Sequence, residues 1–163
     1  MKSLWAPWRI KFILEALKIP GCVFCKASKE SDDTKNLIVH RSKHSFTILN
    51  KYPYNSGHIM VVPFRHSGDF SALTDEELLD MHKEIRRAVK ALQETMHPQG
   101  FNIGMNLGEA GGAGIRDHIH YHVVPRWNGD TNCMPVLADT KVLPESLNET
   151  YARLNPVFRK IES

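Results

Sequence analysis

Residues 118–122 read His-Ile-His-Tyr-His and run on into Val-Val-Pro-Arg-Trp. Imidazoles at i, i+2 and i+4, alternating with Ile119, Tyr121 and Val123, have the period of a β-strand and not of a helix. On a strand, His118, His120 and His122 share one face. Three of the chain's nine histidines on one ledge make a poor core and a good working surface. Near neutral pH an imidazole can carry a proton, ligate a metal or attack an electrophile. The spacing alone leaves two readings open, a metal site and a nucleophile site.

The rest of the chain reads as a frame for this strand. At 163 residues, with 42% hydrophobic and 24% charged side chains, one domain with a real core is expected. A net charge of +3 suits a local anion pocket and calls for neither nucleic acid nor membrane. No apolar run approaches the ~18–20 residues that span a bilayer, and the N-terminus lacks a signal peptide's apolar centre. Cys22 and Cys25 form a C-x-x-C pair and Cys133 stands apart without a role, which is no secreted disulfide framework. A cytoplasmic protein with reduced thiols is expected.

Ala6 to Lys18 has a helical apolar stripe ended by Pro20-Gly21. Cys22–Cys25 and a polar loop through Lys35 follow. Short strands are expected at Leu37–His40, Ser45–Asn50 and His58–Val62, the last stopped by Pro63. Thr74 or Asp75 caps a long helix whose stripe runs through Leu78, Leu79, Met81, Ile85, Val89 and Leu92 to about Met96. Phe101–Leu107 and His118–Val124 should pair as a hairpin around the glycine-rich turn Gly108–Gly114. A last helix is expected from about Pro144 to Ile161. Short connections favour an antiparallel sheet with helices on one face, an α+β fold.

Other groups gain meaning from the ledge. Four glycines in seven residues exceed what a turn needs and would let backbone N–H groups converge on an anion. The C-x-x-C does not open a helix after a strand, so a thioredoxin-like redox role is disfavoured. As a zinc site it needs histidines to complete four ligands, and His66 and His118 are candidates. Arg65, Arg116 and Arg126 flank the proposed site and could counter phosphate, although each reads first as a solvated surface arginine, and Trp127 could wall a pocket or merely pack.

Taken together, His118-Ile-His120-Tyr-His122-Val-Val, Gly57-His58-Ile-Met-Val-Val-Pro63 and Asn102-Ile-Gly-Met-Asn106-Leu-Gly resemble the signature segments of the histidine triad (HIT) nucleotide-binding proteins. The resemblance covers about residues 20–127. Leu4-Trp-Ala-Pro-Trp-Arg9 and Gly129–Pro135 further resemble the bacterial branch related to diadenosine tetraphosphate phosphorylases and hydrolases. It implies a single HIT domain over 1–163, with a five-stranded antiparallel sheet, a long central helix and a C-terminal helix.

The resemblance also implies roles. His120 is the nucleophile and forms a nucleotidyl-imidazole that water or phosphate resolves. His122 and His58 contact phosphate oxygens. Asn50 faces the ribose, Asn106 is a polar site residue, and backbone at Gly112, Ala113, Gly114 and Ile115 assists at the phosphate. Cys22, Cys25, His66 and His118 hold a structural zinc, and no catalytic metal is required. Histidine at position 122, where uridylyltransferases carry glutamine, disfavours hexose-phosphate transfer. Ala113-Gly114-Ile115 lacks the serine of many phosphoramidases, which favours polyphosphate substrates. The expected activity is a nucleotidyl hydrolase or transferase acting on dinucleoside polyphosphates. The rivals are phosphorolysis through the same intermediate and a zinc-supported binding module without turnover. A homodimer is expected.

Overall fold

The computed structural model describes residues 21–130 and 143–161. The helix expected at Ala6–Lys18, the Leu4–Arg9 segment, residues 131–135 and Cys133 with them lie outside the described residues. Helices α1 (Val23–Lys29) and α2 (Asp33–Asn36) lead into β1 (Ile38–Arg41), β2 (Ser45–Leu49) and β3 (Ile59–Pro63). A 3-10 turn at Phe70–Ala72 precedes α3 (Asp75–Met96), followed by β4 (Gly100–Met105), β5 (Tyr121–Arg126) and α4 (Leu147–Phe158). The five strands form one antiparallel sheet in the order β1-β2-β3-β5-β4.

Strand alternation divides the sheet into two faces. Leu49, Ile59, Val61 and Val123 pack with Met81, Ile85, Ala88 and Leu92 of α3 and with Leu154 and Phe158 of α4. Phe46, Ile48, Met60 and Val62 face the other way and pack with Ile38 and with Phe24 and Ala27 of α1. The sequence reading placed all helices on one face and a loop through Lys35. Instead, α1 covers the second face, and the C-x-x-C opens it. The heptapeptide Val-Phe-Cys-Lys-Ala-Ser-Lys lacks turn formers, and one side of it, Phe24 and Ala27, is buried.

The long helix begins as expected, with a Thr74–Glu77 capping box that satisfies two of its orphan N–H groups. Leu79 is exposed at 58% and does not belong to the apolar stripe. The buried face instead includes Glu84, whose carboxylate accepts from Thr47 Oγ1 at 3.0 Å and Arg87 Nε at 3.1 Å and pairs with His40 Nδ1 at 2.7 Å. Arg87 also donates to the carbonyl of Phe158 at 3.3 Å and to that of Ile161. A carboxylate 1% exposed is tolerable only with partners of this kind. The network ties α3, the sheet and the end of α4 together.

The fifth strand starts later than expected. β3 pairs with β5 only over Ile59↔Val123, Met60↔His122 and Val61↔Tyr121. Pro63 ends β3 and has no N–H to offer a longer ladder. Residues 118–120 therefore lie against the segment after β3, with Ile119 N–H donating to the Ser67 carbonyl at 2.9 Å. Of the triad, only His122 stands within the regular strand. At its other end β5 passes through Pro125 to Arg126, because Pro125 lies beyond the β3 pairing and its carbonyl is taken by Asn55 Nδ2 at 3.1 Å.

Leu154 is fully buried between α4 and α3. Leu154→Ala should lower the unfolding free energy by about 2–5 kcal/mol in a urea titration. A loss under about 1 kcal/mol would show that α4 is not part of the core.

Candidate active site

Each triad histidine has a different partner, and the partners fix which nitrogen carries the proton. A ring nitrogen facing a carbonyl must donate, which leaves the other nitrogen with its lone pair. His118 donates from Nε2 to the Pro63 carbonyl at 2.8 Å. Its Nδ1 lone pair then faces Cys22 Sγ at 3.3 Å, His66 Nδ1 at 3.3 Å and Cys25 Sγ at 3.5 Å. His120 is reversed. Its Nδ1 donates to the His118 carbonyl at 3.0 Å, so its Nε2 keeps the lone pair. Burial pushes the pKa of His120 down, which holds the ring neutral.

His122 belongs to a third chain of contacts. The Tyr54 N–H donates to His58 Nδ1 at 3.0 Å, which makes His58 Nε2 the protonated nitrogen. That nitrogen donates to His122 Nδ1 at 3.0 Å, so His122 carries its own proton on Nε2. Asn50 Nδ2 also lies 3.4 Å from His58 Nδ1, and Asn50 Oδ1 accepts from the Tyr52 N–H at 2.9 Å. Gly57 holds His58 in place: its φ is +74°, and an added Cβ would meet Met96 Sδ at 2.7 Å.

A cavity of about 520 Å³ opens in front of His120 and His122. Phe24, Ile48, Met60 and Ile115 give it an apolar lining, and Asn50, Asn106 and Gly114 also border it. Its size and its few polar groups suit a small organic ligand. His58 is not on its wall; 1% exposed, it stands behind His122 and orients it. Gly112 and Ala113 also lie off the wall. Asn106 Nδ2 donates to the Gly112 carbonyl at 3.4 Å, and a Cβ at Gly111 would meet the Leu107 carbonyl at 2.2 Å. Those glycines are needed to fold the loop. The N–H groups of Gly114 and Ile115 have no acceptor among the described residues.

Cys22, Cys25, His66 and His118 converge, with their ligand atoms all within 4.8 Å of one another. Ligands around a tetrahedral ion at ordinary Zn–S and Zn–N distances lie roughly 3.3–3.8 Å apart, and the contacts to His118 match that spacing. The Cys25 thiol is pushed up by burial and by the neighbouring Cys22, as expected for thiols that need a cation to ionise. The four can hold a metal ion. The expected arginines are committed elsewhere: Arg65 to Glu77, Arg116 to Glu109 and Arg126 to Asp130. None of them, nor Trp127, lines the cavity.

Two aromatic residues were not anticipated. The Phe24 ring lies 4.9 Å from that of His120 and 5.4 Å from that of His118. Tyr54 lies 4.7 Å from His58 and 5.7 Å from His122. Phe24 could have been found from its place between Cys22 and Cys25, since ligands there bring their neighbours to His118. Tyr54 sits in a turn-rich segment and gives no such signal.

The chain is similar in sequence and fold to known proteins. Residues 31–129 match the HIT domain family, and the chain belongs to that family. It is 36% identical over 158 residues to the AP-4-A phosphorylase of Mycobacterium tuberculosis, covering 92% of this chain and 80% of that one. It is 28% identical over 108 residues to an adenosine 5′-monophosphoramidase of Schizosaccharomyces pombe, covering 66% of this chain and 76% of that one. A Zn-bound histidine triad family protein from Mycobacterium smegmatis superposes with a TM-score of 0.68 at 27% identity, over 86% of this chain and 94% of that one. A uridylyltransferase shares the fold at a TM-score of 0.69 and 17% identity, over 97% of this chain and 52% of that one.

The hydrogen bonds predict the tautomers. Long-range ¹H–¹⁵N spectra should show His120 protonated on Nδ1 and His58 and His122 on Nε2. The same tautomer at positions 120 and 122 would contradict the assignment.

Proposed function

We propose that the chain is a nucleotidyl hydrolase or transferase that cleaves dinucleoside polyphosphates through a nucleotidyl intermediate on His120. The observation that carries this is the His120 tautomer. Its Nδ1 proton is committed to a backbone carbonyl, and the ring stands at the cavity wall with the Nε2 lone pair. That nitrogen attacks the α-phosphorus. A P–N bond forms and the P–O bond to the leaving phosphates breaks. His122, held by His58 with its Nε2 proton outward from the pair, donates to a phosphate oxygen as charge develops. The N–H groups of Gly114 and Ile115 are placed to assist. Water then breaks the P–N bond, gives up a proton and releases the nucleoside monophosphate. The AP-4-A phosphorylase and monophosphoramidase among the relatives support an adenylylated substrate.

His120→Ala should lower kcat/KM on diadenosine tetraphosphate by at least about a thousandfold, as loss of a covalent nucleophile does. Turnover at the wild-type rate would remove His120 from the chemistry. Binding of AMP without any turnover by the wild type would favour a binding module instead.

Phosphorolysis is the second reading, favoured by the name of the M. tuberculosis relative. Phosphate would attack the same intermediate and yield a nucleoside diphosphate. If this reading is right, ADP appears only when phosphate is added. ATP and AMP in equal amounts at every phosphate concentration would mean hydrolysis alone.

We assign structural zinc to Cys22, Cys25, His66 and His118. The donor set, its spacing and the His118 tautomer support this, as does the Zn-bound M. smegmatis relative. When bound, zinc supplies a fixed charge that orients His118. Protein purified without chelator should carry about one zinc per chain, and Cys25→Ser should lower both the zinc content and the thermal midpoint. An unchanged midpoint after metal removal would show that the cluster does not support the fold.

A homodimer is also proposed. Among the described residues β4 ends the sheet with one neighbour, and Ile103 upon it and Leu107 beyond it are 48% and 47% exposed. An unblunted edge of this kind invites a second copy. A cytoplasmic setting fits a C-x-x-C that must stay reduced to ligate. Among the described residues no helix is long and apolar enough to cross a membrane.

A further inference from the structure

The sequence disfavours a redox role for Cys22 and Cys25 because the motif is not expected to open a helix after a strand. The structure meets half of that requirement, since the pair opens α1. Cys22 is the N-cap and Cys25 the third residue of the helix, and the Cys22 carbonyl already accepts the Lys26 N–H at 3.0 Å. Residues three apart in a helical turn have Cα atoms about 5 Å apart, inside the roughly 4.4–6.8 Å that a disulfide spans. Side chains at the N-cap and the third helical position also face one another. Both cysteines are half-buried, and His66, 3.3 Å from Cys25 Sγ, is exposed. The pair can therefore close into a disulfide with the first turn intact, and a small solute can reach it.

α1 is tethered separately at its two ends. Arg41 of β1 holds the C-terminal end, donating to the carbonyls of Ser28 at 2.7 Å, Glu30 at 3.0 Å and Ala27 at 3.4 Å. Cys22 and Cys25 hold the N-terminal end against His118 and His66. Between the two cysteines, Phe24 rests on His120 and His118, and Val23, Phe24, Lys26 and Ala27 border the cavity. A disulfide turns both sulfurs toward each other. Only His66 and His118 are then left as donors, too few for a closed structural metal site. The N-terminal end keeps the apolar packing of Val23 and Phe24 but loses its polar tether, while Arg41 still fixes the other end. The cavity wall beside His120 is thereby loosened about a fixed point.

We infer that Cys22 and Cys25 form a peroxide-sensitive modification site, where reversible oxidation to a disulfide discharges the metal and loosens the α1 wall of the cavity. This rests on the zinc and nucleotide readings above and goes beyond both. The oxidant is hydrogen peroxide. One thiolate sulfur attacks a peroxide oxygen: an S–O bond forms, the O–O bond breaks, and the departing hydroxide takes a proton to leave as water. The other thiolate attacks the resulting sulfenic sulfur: an S–S bond forms, the S–O bond breaks, and hydroxide again leaves as water with a second proton. The sulfurs lose two electrons and the peroxide gains them. A dithiol reverses the change by thiol–disulfide exchange.

The full chain, purified with its metal, is treated with hydrogen peroxide beside a chromogenic zinc chelator. Peptide mapping should find a Cys22–Cys25 disulfide, zinc should appear one for one with it, and a dithiol with added zinc should reverse both. Cys133→Ala, which leaves this pair alone of the chain's three cysteines, should behave in the same way. On oxidation, amide hydrogen exchange in the peptide covering residues 22–28 should quicken by about tenfold or more. Affinity for AMP, measured by calorimetry, should fall about tenfold. Cysteines that stay reduced, that pass to sulfonic acids no dithiol recovers, or that bridge to Cys133 overturn the inference. So does a Cys22–Cys25 disulfide that leaves the exchange or the AMP affinity of a binding-competent protein unchanged. If the reduced protein does not bind AMP, the nucleotide reading fails, and the exchange and the thiol state decide this inference. Absence of zinc from the purified protein overturns the metal assignment and the discharge with it, whereas absence of turnover on diadenosine tetraphosphate overturns the catalytic reading alone.

Discussion

The hydrogen bond from His118 Nε2 to the Pro63 carbonyl, 2.8 Å long, is the constraint on which the rest of the site depends. It exists because Pro63 closes β3 and leaves the following backbone to pair with something other than a ladder. It sets the His118 tautomer and so turns Nδ1 toward Cys22, Cys25 and His66. It also positions the His118 carbonyl that fixes the opposite tautomer on His120. One backbone oxygen thus decides, at one remove, which nitrogen of the next histidine keeps its lone pair. Two identical side chains two residues apart are held in opposite tautomers because one faces a carbonyl with Nε2 and the other with Nδ1.

Much of this was legible in the sequence, and the reasons are specific. The Thr74 cap and the Pro63 stop are local signals, and local physics honours them, whereas the 118–122 alternation is strand only from Tyr121 onward. The cluster of four possible ligands was legible because C-x-x-C needs two more, and His66 and His118 were candidates before the family resemblance implied them. What was not legible depended on long-range packing. α1 was taken for a loop because its seven residues are too few for a stripe to show, and its helix is supported by burial of Phe24 and Ala27. No sequence pattern singled out Glu84 and Arg87, and only the approach of Thr47, His40 and the end of α4 makes them interior.

Several residues named near the site stand off the cavity wall for a shared reason. His58 was expected to contact phosphate, while Arg65, Arg116 and Arg126 were weighed as counter-charges against a plainer reading as solvated surface arginines. Sequence spacing gives proximity but not depth. His58 is on the correct strand, yet the Tyr54 N–H behind it and His122 in front place it one step back, where it can direct a neighbour's proton without touching substrate. The arginines are drawn off by Glu77, Glu109 and Asp130, which no spacing rule pairs with them. The cavity beside the triad is thereby bordered by the imidazoles of His120 and His122 and the backbone of Gly114 and Ile115, with no arginine on its wall among the described residues.

The two walls of the cavity come from separate stretches of chain. Residues 23–36 form the wall farther from the triad, and residues 114–122 carry the groups placed for chemistry. They meet where Phe24 rests on His120 and His118 and where Cys25 approaches His118. Mutational drift in the first stretch, at positions such as 26, 27 and 30, can retune which molecule is admitted without disturbing the reacting atoms. Cys22 and Cys25, on the same short helix, keep that wall in register while it changes. Such a division lets one reaction be offered to many substrates over evolutionary time, and it makes α1 the segment to exchange when engineering a new preference.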